Sequence, residues 1–163
     1  MDHVGRESNV ETVPLSSHEQ DFLRAFARAV TTVPRALDTD LIREQGMSLS
    51  EYFTLMYLSE VPDRSLRMTD LAAAGALSLS GMTRIVHRLE AQGYVRREKS
   101  TCDGRSWIAA LTDAGYQRLT EAWPTHLASV RRHVMDHLND AELRTFTAAL
   151  QKFAVHTDQF PDT

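Results

Sequence analysis

Leu77-Ser78-Leu79-Ser80-Gly81-Met82-Thr83-Arg84-Ile85-Val86-His87-Arg88-Leu89-Glu90 is the stretch on which the reading of this chain turns. At about 100° per residue, Met82, Ile85, Val86 and Leu89 fall on one stripe, while Ser80, Thr83, Arg84, His87 and Arg88 fall on other faces. Ser78 places a hydroxyl where it can accept from an orphan backbone amide, and Gly93 stands where a helix naturally stops. The stretch predicts an amphipathic helix, locked into a core on one side and polar and basic on the other. Just upstream, Thr69 is expected to cap a short helix carrying Leu71 and Ala72, and Gly75-Ala76-Leu77 to turn the chain between the two.

Downstream, Tyr94-Val95-Arg96-Arg97-Glu98 and Trp107-Ile108-Ala109-Ala110-Leu111 read as two strands. The polar loop Ser100-Thr101-Cys102-Asp103-Gly104-Arg105, with turn chemistry at Asp-Gly, joins them into a hairpin. The order is therefore short helix, turn, amphipathic helix, basic hairpin. A helix suits the B-DNA major groove when its far face is packed and its near face offers small polar and basic groups close to its start. Ser78, Ser80 and Gly81 permit close approach of the backbone, Thr83 can meet a thymine methyl or a phosphate, and the planar fork of Arg84 matches guanine O6 and N7. His87 lies on the same side, and Arg88, one turn on, is better placed for phosphate. Taken alone, such residues would serve equally as the solvated face of an ordinary helix. The adjoining hairpin with Arg96, Arg97, Lys99 and Arg105 tells against that reading, because a solvated face requires no second basic element beside it.

The formal net charge of -4 argues at first against a nucleic-acid partner. Its distribution argues otherwise. Between Arg64 and Leu111 there are eight basic and four acidic residues, against ten basic and eighteen acidic in the remainder. A basic module thus sits between acidic flanks.

Those flanks read as long helices. Residues 1–15 lack periodicity and are expected to form a flexible arm. Ser16 and Ser17, with Glu19 and Gln20 at capping-box spacing, open a helix over 16–47 in which Phe22, Phe26, Val30, Val33, Leu37 and Leu41 recur every three or four residues. Pro34 is expected to bend or break it. Ser48 and Glu51 form a second capping box before Phe53, Met56, Tyr57 and Leu58. After the hairpin, Thr112 caps a long helix with Leu119, Trp123, Leu127, Val130, Val134 and Leu138 on one stripe and a kink expected at Pro124. Asp140 starts a last helix with Leu143, Phe146, Leu150 and Phe153. These apolar stripes exceed what a small lobe can bury alone, which favours a partner chain.

Taken together, Leu71-Ala72, the stretch from Leu77 to Glu90, Gly93-Tyr94-Val95-Arg96-Arg97, Asp103-Gly104-Arg105 and Leu111-Thr112-Asp113-Ala114-Gly115 resemble the signature of the MarR (multiple antibiotic resistance regulator) family. The resemblance implies a mainly α fold with a small β-wing: a winged helix-turn-helix lobe over 48–112, flanked by dimerisation helices over 16–47 and 113–163. It further implies a homodimer that binds double-stranded DNA as a transcription regulator, with the helix from Ser78 to Leu89 in the major groove. Arg105 at the wing tip, steadied by Asp103, would then enter the minor groove.

Other residues admit two readings. Phe22, Phe26, Phe53, Tyr57 and Trp123 could line a crevice where members of the family take small aromatic anions, or serve as plain core. Arg24, Arg28 and Arg35 could anchor a carboxylate or simply solvate a helix. His133 and His137 stand four apart, a spacing that can hold a metal, with His126 two turns earlier, yet no acid or thiol completes a set. A structural role is expected for them. Cys102, in the wing, invites a redox-sensing role, but an ordinary exposed thiol accounts for it as well.

Other function classes find less support. No stretch approaches the roughly 18 apolar residues needed to span a bilayer, and no apolar signal core opens the chain, so a soluble, cytoplasmic protein is expected. A phosphate-binding glycine loop, a Gly-x-Ser-x-Gly elbow and a His-Glu-x-x-His pair are all missing, so neither an enzyme nor a cofactor is expected. A winged helix that binds protein rather than DNA is the alternative, and it does not call for basic groups on both groove-reading elements.

Overall fold

The computed structural model describes residues 13–99 and 106–157, with only the backbone for 154–157. The expected arm lies outside the described residues up to residue 12, and 13–16 carry no regular structure. The Asp-Gly turn, Cys102, Asp103 and Arg105 also lie outside them. The chain divides into two compact units at Thr32–Val33.

Helix α1, Ser17–Gln45, crosses that division. It starts as expected: Ser16 Oγ accepts from Glu19 N at 3.3 Å, and the Glu19 carboxylate returns to Ser16 N at 2.7 Å. In the N-terminal unit, Phe22 and Phe26 stack at 5.8 Å, and Arg24 pairs with Asp21. Pro34 lies inside the helix, which continues through it, so of the bend or break expected there no break occurs. A proline removes one backbone donor, and the rest of the hydrogen-bond ladder suffices to carry the helix through.

In the second unit, Leu37 and Leu41 drop into the core from the end of α1. Helix α2, Leu49–Glu60, begins with the anticipated capping box between Ser48 and Glu51. It supplies Tyr52, Leu55 and Leu58, all fully buried. A three-residue strand β1, Ser65–Arg67, follows, then α3, Met68–Ala74. Thr69 does not cap α3. It lies inside the helix, the N-cap is Arg67 and no side chain caps there. The turn places Ala76, not Gly75, in the left-handed region at φ 49°, and Leu77 N closes it on Ala72 O at 2.9 Å.

Helix α4, Leu79–Ala91, buries Met82, Ile85, Val86 and Leu89, as its stripe requires. Gly93, at φ 77°, then reverses the chain into β2, Val95–Lys99. Strand β3, Trp107–Leu111, pairs antiparallel with both β2 and β1, giving the order β1-β3-β2. The expected hairpin is thus the outer part of a three-stranded sheet.

Helix α5, Asp113–His133, starts at Thr112, whose hydroxyl accepts from Gly115 N and donates to Gly93 O. Gly115 is required there, because a Cβ would come within 2.1 Å of Tyr94 O. Pro124 is again accommodated without a break. The helix ends sooner than its apolar stripe predicts. Val134 leaves helical geometry at φ -135°, and Met135–His137 form a short 3-10 turn, so Val134 and Leu138 are not on α5. Helix α6, Asp140–Thr157, is capped by Asn139, whose side chain accepts from Ala141 N and Glu142 N. Among the described side chains of α6, none belongs to the core. Among the described residues, no helix is long and apolar enough to cross a membrane.

Candidate nucleic-acid interface

The packed face of α4 fixes its orientation. Met82 is 1% exposed and receives Thr54 Oγ1 on its sulfur at 3.7 Å, while Val86 and Leu89 are fully buried. Ser80, Arg84, His87 and Arg88 are therefore turned to solvent. At the helix start, Ser78 Oγ accepts from Gly81 N at 3.2 Å and lies 3.1 Å from Ser80 Oγ. Thr83 is half-buried and spends its hydroxyl proton on Leu79 O at 2.7 Å, leaving a methyl and an acceptor lone pair for any ligand.

The cations differ in what holds them. Arg84 makes no ion pair or hydrogen bond among the described residues, so its whole guanidinium is available. Arg88 donates Nε to Glu51 Oε1 at 2.9 Å. Arg97 donates Nε to Glu90 Oε2 at 2.8 Å, and His87 approaches the same carboxylate at 3.9 Å. Arg96 pairs with its neighbour Glu98. Lys99 has no acidic partner among the described residues and sits 5.9 Å from the Trp107 ring centroid.

Strand alternation sorts the wing residues. Lys99 lies directly opposite Trp107, and Arg97 opposite Ala109, so Arg97, Lys99 and Trp107 share one face of the hairpin and Arg96 lies on the other. The structure brings Ser78, Ser80, Gly81, Thr83, Arg84, His87 and Arg88 together on α4, and puts Arg97 and Lys99 on a common wing face. Arg96 is not on that face.

The aromatic candidates separate. Phe53 and Tyr57 stack at 6.2 Å and line a pocket of about 430 Å³ with Pro34, Arg35, Asp38, Ser50, Leu77 and Met82. Trp123 lies elsewhere, half exposed and 6.3 Å from the His126 ring. Phe22 and Phe26 belong to the N-terminal unit. Arg35 is thus the one of the three candidate arginines placed at this pocket.

Three features escaped the sequence. Glu51, expected only as a capping residue, also grips the solvent-facing side of α4 through Arg88. Burial alone would raise its carboxyl pKa, but Arg88 and the two Ser48 donors outweigh that and hold it below the ordinary value. Asp40, 5% exposed, accepts from Ser129 at 2.7 Å, His133 at 2.9 Å, Arg43 at 2.7 Å and Arg132 at 3.2 Å. The Ser129 and His133 hydrogen bonds, reinforced by the two arginines, lower its pKa to about 2. The only signal in the sequence was an acid on the apolar stripe between Leu37 and Leu41. His133 is therefore tied to a carboxylate, and His137, beyond the end of α5, meets the Arg132 carbonyl at 2.9 Å. Among the described residues no cluster of metal-ligating side chains forms. Finally, His126 stacks on buried Tyr52 at 4.4 Å, and neither Tyr52 Oη nor His126 Nδ1 finds a hydrogen-bond partner among the described residues.

Comparison with known proteins identifies the architecture. A MarR family model matches residues 45–106. The MarR family transcriptional regulator Sco3205 of Streptomyces coelicolor, solved in complex with DNA, is 36% identical, covering 90% of this chain and 91% of its own, with a TM-score of 0.83. AbsC, a MarR family transcriptional regulator of the same organism, is 33% identical over 91% of this chain and 99% of its own, also with a TM-score of 0.83. The transcriptional repressor YetL of Bacillus subtilis is 28% identical over 118 residues, 72% of this chain and 70% of its own.

Proposed function

The chain belongs to the MarR family of transcription regulators, and from that premise we propose that it represses transcription by binding a palindromic operator as a homodimer in the cytoplasm. It is a binding protein, not an enzyme. In this reading α4 enters the major groove, with Arg84 reading a guanine and Ser80, Gly81 and Thr83 at the groove wall. The wing enters the adjacent minor groove, led by Arg105 and steadied by Asp103, both outside the described residues. Helices α1, α5 and α6 hold the two subunits together. The observation that carries this is the uncommitted guanidinium of Arg84 on the solvent face of a helix whose other face is fully packed.

An effector reading has its own support. The pocket beside Phe53 and Tyr57 joins apolar walls to the Arg35 cation, a combination suited to a small aromatic acid. It touches Leu77 and Met82 at the turn and start of α4, so an occupant would bias the position of the recognition helix.

The direct test is to select bound fragments from genomic DNA with purified protein and footprint them. The expected result is an inverted repeat with half-site centres about one helical turn, roughly 10 base pairs, apart. Binding without sequence preference, or to a single unpaired half-site, would contradict the reading.

A further inference from the structure

Between the start of α4 and the wing lies a cleft of about 370 Å³, lined by Met68, Thr69, Leu79, Thr83, Arg97 and Trp107, with Ser106 at its edge. Two of its walls are large apolar side chains left open: Leu79 is 49% and Trp107 42% exposed. We propose that this cleft seats the single sugar–phosphate strand separating the major groove read by α4 from the minor groove entered by the wing, and that Trp107 is the residue that positions it. The proposal rests on the DNA-binding reading above and adds an occupant and a residue to it.

Geometry selects the occupant. Neighbouring major and minor grooves are divided by one backbone strand, so a protein that places a helix in one and a hairpin in the next must pass that strand between them. The gap between α4 and the β2–β3 hairpin is this cleft.

Chemistry matches the occupant at both of its surfaces. Deoxyribose presents C–H faces, for which Leu79 and the indole ring are apolar partners. Phosphate presents anionic oxygens. Lys99 Nζ stands 5.9 Å and the Arg97 guanidinium 5.3 Å from the Trp107 centroid, so the ring gathers two cations on the face that looks toward α4. Lys99 has no acidic partner among the described residues, and Arg97, with Nε committed to Glu90, keeps its terminal nitrogens. The Trp107 indole N–H donates to no acceptor among the described residues, and a phosphate oxygen is the acceptor such a donor fits. The acids bonded to lining residues are Glu90, which holds Arg97 at 2.8 Å, and Asp70, which accepts from the Thr69 hydroxyl at 3.2 Å.

The test is a phosphate scan. Operator duplexes selected by the wild-type protein are resynthesised with one phosphate at a time replaced by neutral methylphosphonate, and their affinities are measured for wild type, Trp107→Ala, Trp107→Phe and Lys99→Gln. In wild type, one phosphate per half-site, lying between the guanine contact and the flanking minor groove, should lose about fivefold on neutralisation, and in Trp107→Ala that loss should vanish. Lys99→Gln should abolish it too and lower the salt slope by about one, while Trp107→Phe, which retains the aromatic face but not the indole N–H, should lose part of it and keep the rest. Should Trp107→Ala fail to fold, the exposed Lys99→Gln and the conservative Trp107→Phe decide the outcome by the same loss or retention. A wild-type protein that binds no duplex overturns the DNA reading and this inference together. A wild-type protein that binds its operator, but whose phosphate profile is the same in every variant, overturns this inference alone.

Discussion

Arg88 Nε lies 2.9 Å from Glu51 Oε1, which ties α4 to the first turn of α2. The other Glu51 oxygen receives Ser48 N and Ser48 Oγ, each at 2.9 Å, so one buried carboxylate closes a helix cap and orients a solvent-facing cation. Glu51→Gln keeps the cap acceptor but loses the charge. It should cost about 1–2 kcal/mol of stability in urea denaturation. In operator binding, Glu51→Gln combined with Arg88→Ala should be no worse than Arg88→Ala alone, because Glu51 acts on DNA only through Arg88. Additive losses would show that the pair is not a unit.

Asp40 makes stability depend on acid. Its pKa is held near 2, below the ordinary 3.8, so the ionised form is favoured by folding. That stabilisation is present in full above about pH 4 and is lost as pH falls from there toward 2. Asp40→Asn should therefore be less stable than wild type at pH 6, by about 2 kcal/mol. The gap should narrow below pH 4 in parallel thermal melts. A gap that stays constant from pH 6 to pH 3 would refute the assignment.

Gly115→Ala tests the junction between wing and α5. The added methyl would overlap Tyr94 O at 2.1 Å and Leu111 Cδ1 at 2.8 Å, and a carbonyl cannot swing aside as a flexible side chain can. The expected loss is at least about 1–3 kcal/mol, read from the urea midpoint. An unchanged midpoint would mean that the helix start relaxes freely.

Much of this was legible because local chemistry and global packing agree. The α4 stripe, the Ser78, Ser48 and Thr112 caps and the Gly93 stop all recur in the structure, since each is decided within a few residues. What was missed is decided at long range. The three residues of β1 read locally as no more than a brief extended segment, and it is the pairing with β3 that makes them a strand. The apolar rhythm of α5 continues past His133, so nothing local announces the break at Val134. Asp40 meets Ser129, Arg132 and His133 from 89 to 93 positions away, a relationship no spacing rule encodes.

The subunit interface is expected where large apolar side chains stand open on the last helices. Trp123 and Leu127 on α5 are 51% and 42% exposed, and Phe146 and Leu150 on α6 are 52% and 50% exposed. Light scattering at micromolar concentration should return a dimer mass. Phe146→Asp with Leu150→Asp should shift the protein toward monomer, since an ionised carboxylate would have to be buried unpaired. A wild-type monomer would contradict the proposed assembly.

We propose that α4 reads bases and that Arg84, unpaired on its solvent face among the described residues, does the most specific reading. The most direct measurement is a selection from a randomised duplex library with wild type and Arg84→Ala side by side, followed by competition on single-base variants of the selected site. Wild type is expected to require a guanine at one position in each half-site, and Arg84→Ala to lose that preference at a cost of about 1–3 kcal/mol per half-site. Non-specific binding should change less. An Arg84→Ala protein that selects the same consensus with the same stringency at every position would contradict it.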